Sequence, residues 1–144
     1  MKMSPTIQRS LKWASRFNIV LYRLTGGIIG GKLVGGRVLL LTTIGRKSGE
    51  ARTVPLLYLP WEKNLVVVAS KGGHDEAPLW FSNLEKTPDA TVEVGRERRP
   101  VRARVAGDED RAVLWPQIVG MYKGYAAYQE RTERQIPLVI LEPR

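Results

Sequence analysis

The sequence predicts a mainly β fold with α-helices (α+β), its short strands forming a barrel or a strongly bent sheet. Three observations lead there. Six short runs rich in Val, Ile, Leu and Thr follow one another from Arg37 onward, at 38–44, 53–59, 65–69, 90–94, 101–105 and 138–141. Before that point apolar positions recur near the helical period instead, over residues 4–24. With 144 residues, 43% of them hydrophobic, the chain 1–144 is long enough for one domain with a real core, and nothing in it argues for a second.

The first element is an amphipathic helix whose apolar positions are Ile7, Leu11, Ala14, Phe17, Val20, Leu21 and Leu24, ended by Thr25-Gly26-Gly27. Lys2, Arg9, Lys12, Arg16 and Arg23 give it a basic face, which suits either a helix covering one open face of a barrel or a surface touching anionic lipid headgroups. The next segment, Gly26-Gly27-Ile28-Ile29-Gly30-Gly31-Lys32, has the spacing of a nucleoside-triphosphate loop up to its lysine. Leu33 then stands where a magnesium-binding hydroxyl is needed, and the segment follows a helix rather than a buried strand, so it reads as a flexible connector. In Val101-Arg102-Ala103-Arg104-Val105 strict alternation turns small apolar groups inward and arginines to solvent. Residues 78–86 read as a short helix with Pro78 in its first turn, closed before Thr87-Pro88. A longer helix starts at Asp108 as the capping residue, with Glu109 and Asp110 at the positive end of its dipole. Gly124 interrupts residues 122–133, where Tyr125 and Tyr128 share a face if the segment is helical.

Composition removes several kinds of chemistry. The absence of cysteine excludes disulfides, thiolate metal sites and cysteine nucleophiles, and the single His74 cannot build a histidine metal cluster, so no metal is expected. Redox chemistry then needs a borrowed cofactor. A net charge of +9 points to an anionic partner, whether nucleic acid, a membrane surface or an acidic small molecule. No run resembles a signal h-region or the roughly 20 apolar residues of a membrane span, which predicts a cytoplasmic protein, with peripheral contact at the inner face of the membrane if the first helix binds lipid.

Two glycine-bracketed cationic turns carry the functional signal. Gly45-Arg46-Lys47-Ser48-Gly49 and Ser70-Lys71-Gly72-Gly73 each end an apolar run. Glycine permits close backbone approach, exposed amides donate to oxygen, and Arg or Lys adds full charge, so each turn can hold a phosphate. Taken alone, the first is an ordinary charged hairpin loop between 38–44 and 53–59. Arg52 close by, the second turn, and Trp80 and Asn83 three apart on one helical face add cations, amides and an indole, and point to a long phosphorylated ligand.

The ordered set Leu40-Leu41-Thr42-Thr43-Ile44-Gly45-Arg46-Lys47-Ser48-Gly49, Arg52-Thr53-Val54-Pro55, Val67-Val68-Ala69-Ser70-Lys71-Gly72-Gly73, Pro78-Leu79-Trp80-Phe81-Ser82-Asn83 and Asp89 resembles the deazaflavin-dependent nitroreductase family. Tyr125-Ala126-Ala127-Tyr128-Gln129, Arg134-Gln135-Ile136-Pro137 and the helix end Leu21-Tyr22-Arg23-Leu24-Thr25-Gly26-Gly27 extend the resemblance over nearly the whole chain. It implies a split β-barrel, related to flavin-binding barrels, that binds coenzyme F-420 (an 8-hydroxy-5-deazaflavin) and uses its reduced form to transfer a hydride to a quinone or nitroaromatic acceptor. By the same resemblance Arg46, Lys47, Ser48, Arg52, Lys71 and Asn83 hold the phosphate and acidic glutamyl tail. Thr53, Val54, Pro55, Val68, Ala69 and Ser70 line the ring, and Leu79, Trp80 and Phe81 complete the pocket wall. Ser70, Tyr125 and Tyr128 are placed at the acceptor, where a hydroxyl can stabilise developing negative charge; Tyr122, Tyr22 and His74 rank behind them.

Two rivals differ in class. A related barrel could hold flavin mononucleotide, heme or a fatty acid, and would purify with a bound yellow flavin or a Soret band. A nucleic-acid-binding module would use Arg96, Arg98, Arg99, Arg102 and Arg104, but that run lacks interleaved aromatics for base stacking.

Overall fold

The computed structural model describes residues 19–25, 32–33, 36–70 and 76–144. Residues 4–18 of the expected first helix, the glycines of 26–31, and Lys71, Gly72, Gly73 and His74 lie outside the described residues. In chain order come helix α1 (residues 19–25), strands β1 (Lys32–Leu33), β2 (Gly36–Ile44), β3 (Ala51–Trp61) and β4 (Asn64–Val68), and helix α2 (Leu79–Lys86). Strands β5 (Asp89–Val94) and β6 (Glu97–Val105), helices α3 (Asp108–Met121) and α4 (Gly124–Glu130), and strand β7 (Leu138–Pro143) follow.

The strands pair antiparallel in the order β1-β2-β3-β4-β7-β6-β5, and β5 returns to β2 through Leu40↔Glu93, Leu41↔Val92 and Thr42↔Thr91. That pairing closes a six-stranded barrel with β1 appended to β2 at Gly36 and Arg37. Period-two alternation distributes the apolar side chains. Leu39 and Leu41 of β2, Leu65 and Val67 of β4, Val92, Val101, Val139 and Leu141 fill the barrel. Their sequence neighbours face outward and are covered in turn. Val66, Val68, Leu138 and Ile140 pack under Leu114 and Ile118 of α3 and Tyr125 of α4, while Val38 and Leu40 pack under Ile19 and Tyr22 of α1. Both faces of β4 are therefore covered, and all five of its residues are buried.

The barrel is unzipped on one side. Strand β3 pairs with β2 along eight rungs, from Arg37↔Tyr58 to Ile44↔Ala51, but with β4 only through Leu59↔Val66, Pro60↔Leu65 and Trp61↔Asn64. Beyond those three rungs β4 stays with β7, pairing Val67 with Val139 and Val68 with Leu138. Residues 53–57 of β3 and 67–70, at and beyond the end of β4, are thus left without a ladder between them, a gap in the hydrogen bonding of the barrel. The burial pattern agrees, since residues 53–57 are all only half-buried. Pro55, which has no N–H to give, fits a strand with an open edge.

Helix α2 closes the end of the barrel at which the gap opens. Trp80 and Leu84 enter the barrel core, 6% and 5% exposed. Its N-cap position is Pro78, one residue before the helix rather than inside its first turn. In α3 the cap is Gly107 and Asp108 is the first helical residue, with no side-chain cap hydrogen bond; Asp108, Glu109 and Asp110 fill the first turn as a dipole argument expects. Gly124 begins α4 instead of breaking it. A Cβ there would come within 2.6 Å of the Tyr122 hydroxyl, so the glycine makes room for that ring. Lys32, read as part of a flexible connector, is in β1.

The pin between α1 and the barrel is Tyr22, 2% exposed. Its hydroxyl lies 3.1 Å from the Val38 and Glu93 carbonyls as donor and accepts the Gly95 N–H at 2.8 Å. Arg23 binds both carboxylate oxygens of Glu93, at 3.1 and 3.0 Å, which takes it out of any lipid-facing set. No helix among the described residues is long and apolar enough to cross a membrane.

Candidate functional site

Strands β2 and β4 are both antiparallel to β3, so they run the same way and their ends, Ile44 and Val68, lie at one end of the barrel. The 45–49 loop and Ser70 therefore lie toward the same end of the barrel. Helix α2 reaches the loop with Asn83 and Lys86, three apart on one face.

The 45–49 loop is held from inside. Gly45 N–H donates to the Glu50 carbonyl and Gly49 N–H to the Gly45 carbonyl, both at 2.8 Å. Gly49 takes φ +72°, the left-handed region that costs a side-chain-bearing residue strain. The Asn83 Oδ1 accepts the Arg46 N–H at 3.1 Å, its Nδ2 donates to Thr43 Oγ1 at 3.1 Å, and Lys86 Nζ donates to the Arg46 carbonyl at 2.9 Å. Ser48 Oγ accepts the Glu50 N–H at 3.2 Å. Among the described residues the N–H groups of Lys47 and Ser48 have no acceptor, and Arg46, Lys47 and Arg52 add three cations in or just after the loop. Arg52 also meets Glu50 at 3.2 Å, an exposed pair that a polyanion can displace.

Asn83 is 5% exposed, and both ends of its amide bond the protein, tying the 45–49 loop to β2. Trp80 belongs to the barrel core. Leu79 is 67% exposed at the mouth. Phe81 lines a cleft of about 230 Å³ with Leu84, Pro88, Ala103 and Val105, on the flank of α2 away from Asn83. Lys86 was not singled out in the sequence; its spacing from Asn83 was the signal available.

Thr53, Val54 and Pro55 lie in the part of β3 that does not pair with β4, and Val68, Ala69 and Ser70 in the part of the chain that does not pair with β3. Thr53 Oγ1 is 2.8 Å from Thr42 Oγ1, so its hydroxyl is engaged across β2. Helix α4 lies beside the gap. Tyr122, Tyr125 and Tyr128 pack edge to face with ring centres 5.0 to 6.0 Å apart, in the cluster that also contains Val68 and Leu57. The Tyr122 and Tyr128 hydroxyls are 3.0 Å apart. Burial, then the neighbouring Tyr128 and Tyr122, pushes the Tyr125 phenol up to about 12. The hydrogen bond with Tyr122 and then burial raise that of Tyr128. Tyr125 and Tyr128 therefore keep their protons at neutral pH and can donate.

The arginines of β6 are largely occupied. Arg99 pairs with Glu97, Arg102 with Asp89, and Arg104 with both Asp110 and Glu142, at 2.8 to 3.1 Å. Such pairing is expected of the outward side of a half-buried strand and leaves little for a nucleic-acid surface. Among the described residues no group of His, Asp and Glu could hold a metal ion.

Comparison with known proteins gives a consistent set. Residues 13–143 match the family described as F-420H(2)-dependent quinone reductase. An F-420H(2)-dependent quinone reductase of Mycobacterium tuberculosis is 40% identical over 134 residues, covering 90% of this chain and 89% of its own. A solved F-420-H2 dependent reductase superimposes with a TM-score of 0.68 at 39% identity, over 73% of this chain and 93% of its own. The Vibrio cholerae heme storage protein HutZ, at 14% identity and TM-score 0.57 over 88% of this chain and 87% of its own, shares the split-barrel fold alone.

Proposed function

Because this chain belongs to the F-420H(2)-dependent quinone reductase family, we propose that it holds reduced F-420 in the gap between β3 and β4 and reduces a quinone on the side of that gap covered by α4. The protein is an F-420-dependent oxidoreductase. The observation that carries the site assignment is the three-rung ladder between β3 and β4, which leaves apolar stretches of both strands unpaired at the end of the barrel where the 45–49 loop lies. A planar deazaflavin needs such walls, and a phosphodiester with several glutamates needs the cations.

Arg46, Lys47, Ser48 and Arg52 hold the phosphate and acidic tail, with Lys71 added by its place after Ser70. Residues 53–55 and 68–70 hold the ring, with Leu79 at the mouth and Asn83, Lys86 and Trp80 supporting from behind. Bound reduced F-420 supplies a hydride. The Ser70 and Tyr128 hydroxyls donate to the acceptor oxygen as negative charge develops there, and Tyr125, kept protonated by burial, adds a ring and a further donor. A nitroaromatic presents the same electrophilic, oxygen-bearing face and takes the same place. The outward pair Val20 and Leu24 of α1, 52% and 72% exposed, supports contact with the cytoplasmic membrane surface where a lipid quinone resides; flotation of the protein with anionic liposomes tests it, and no association favours a soluble acceptor.

Titration of reduced F-420, followed by its fluorescence, with menadione as acceptor tests the function. Micromolar binding and turnover are expected, and Lys47→Ala removes a charge-assisted contact of about 1.5–3 kcal/mol, weakening the cofactor about 10- to 100-fold. Absence of binding at micromolar cofactor overturns the proposal, and unchanged affinity in Lys47→Ala moves the phosphate site elsewhere.

A further inference from the structure

We infer that Gln129 and Arg134 are positioning residues that fix the Ser70 turn against the tyrosine helix, an inference that rests on the reading of Ser70 and Tyr128 as the acceptor-side pair. Ala69, immediately before Ser70, has both backbone polar groups held by one segment. Its N–H donates to the Pro137 carbonyl at 2.9 Å, and its carbonyl accepts from Arg134 Nη2 at 3.1 Å. That segment, residues 134–137, is held in turn by α4. Gln129 Nε2 donates to the Arg134 carbonyl and Gln129 Oε1 accepts the Ile136 N–H, each at 2.8 Å. Gln129 directly follows Tyr128.

Arg111 of α3 completes the brace. Its Nη1 donates to the Ile136 carbonyl at 2.5 Å and its Nη2 lies 3.5 Å from Gln129 Oε1, with the guanidinium 4.7 Å from the centre of the Trp115 ring. A continuous set of hydrogen bonds thus runs from the strand end that carries Ser70 to the helix that carries Tyr128, although the two are far apart in sequence. The network also holds a group that stability alone would not select: the Arg134 Nε–H is buried without a partner. What the arginine supplies in return is a fixed Ala69–Ser70 peptide. Two donors that must meet one acceptor oxygen need this, because a misplacement of about 1 Å costs on the order of 100-fold in rate.

The test uses the full chain with reduced F-420 and menadione. In Arg134→Met and Gln129→Met, kcat falls about 10- to 100-fold while the F-420 dissociation constant from fluorescence stays within about twofold. Arg134→Lys recovers most of kcat, and the double Met variant is no slower than the slower single one, since both changes break one unit. Proportionate losses of kcat, cofactor affinity and thermal stability, or additive losses in the double variant, overturn the inference. Should a Met variant fail to fold, Gln129→Glu keeps the acceptor for Ile136 and loses the donor to Arg134; wild-type kcat there is equally fatal. Ser70→Ala separates the two claims. If it lowers kcat and Arg134→Met does not, the positioning claim alone fails, whereas an unchanged kcat in Ser70→Ala removes the acceptor-side reading beneath it.

Discussion

Asn83 spends its carbonyl on the Arg46 N–H and its amide nitrogen on the Thr43 hydroxyl, and so ties the 45–49 loop to the helix that plugs the barrel. The sequence brought Asn83 forward by its spacing from Trp80, but whether its amide meets a ligand or the protein depends on where β2 ends relative to α2, which spacing does not carry. Asn83→Ala leaves two groups without partners at a buried position, at roughly 1–3 kcal/mol each. Urea unfolding is expected to show a loss of about 2–4 kcal/mol, with weaker F-420 binding as the loop relaxes. A variant of wild-type stability contradicts the clamp. Tyr125 gives a pH prediction. Its phenol rises from the ordinary 10.0 to about 12 in the folded chain, so the folded state holds its proton more tightly than the unfolded state does. That contribution to stability is complete below pH 10 and is lost as pH rises towards about 12. Thermal unfolding across that window should show Tyr125→Phe losing less stability than the parent; identical slopes contradict the buried placement.

At the scale of elements, much of the fold was legible because alternation and period are local. The phase of residues 101–105 is as read: Val101 is buried in the barrel, Ala103 packs against its core, and Arg102 and Arg104 point out into ion pairs. Strand ends were less legible. β3 runs two residues beyond its apolar run at each end, and β6 starts at Glu97 with Arg98 and Arg99 in register opposite β5, because pairing extends polar residues that propensity alone leaves in loops. Gly49 is a turn residue whose use was clear from the sequence and whose conformation was not. Gly49→Ala is expected to cost about 1–2 kcal/mol from backbone strain alone. A Cβ at that position has nothing within 4 Å, so a larger fall in the unfolding midpoint than strain explains means the loop is packed differently.

At the scale of the molecule, three features lay beyond local pattern: closure of β5 onto β2, the unzipped ladder between β3 and β4, and the arrangement that brings the ends of β2 and β4 to one end of the barrel. Each depends on which strands pair, as Leu40 does with Glu93 53 positions away, and not on what any strand looks like alone. The family resemblance supplied the barrel that periodicity could only narrow down, and the topology then brings the 45–49 loop and Ser70 toward one end of it. Net charge of +9 adds a positive field that favours encounter with a polyanion, once Arg99, Arg102 and Arg104 of β6 are set aside as paired. The central claim is that the open edges of β3 and β4 are where the cofactor lies. Amide hydrogen exchange with and without saturating reduced F-420 reads those edges directly: slowed exchange at residues 53–57 and 67–70 together with the 45–49 loop, and little change in β5 and β6, is the predicted result, while protection confined to the cleft lined by Phe81 and Val105, or to the arginine face of β6, would contradict it.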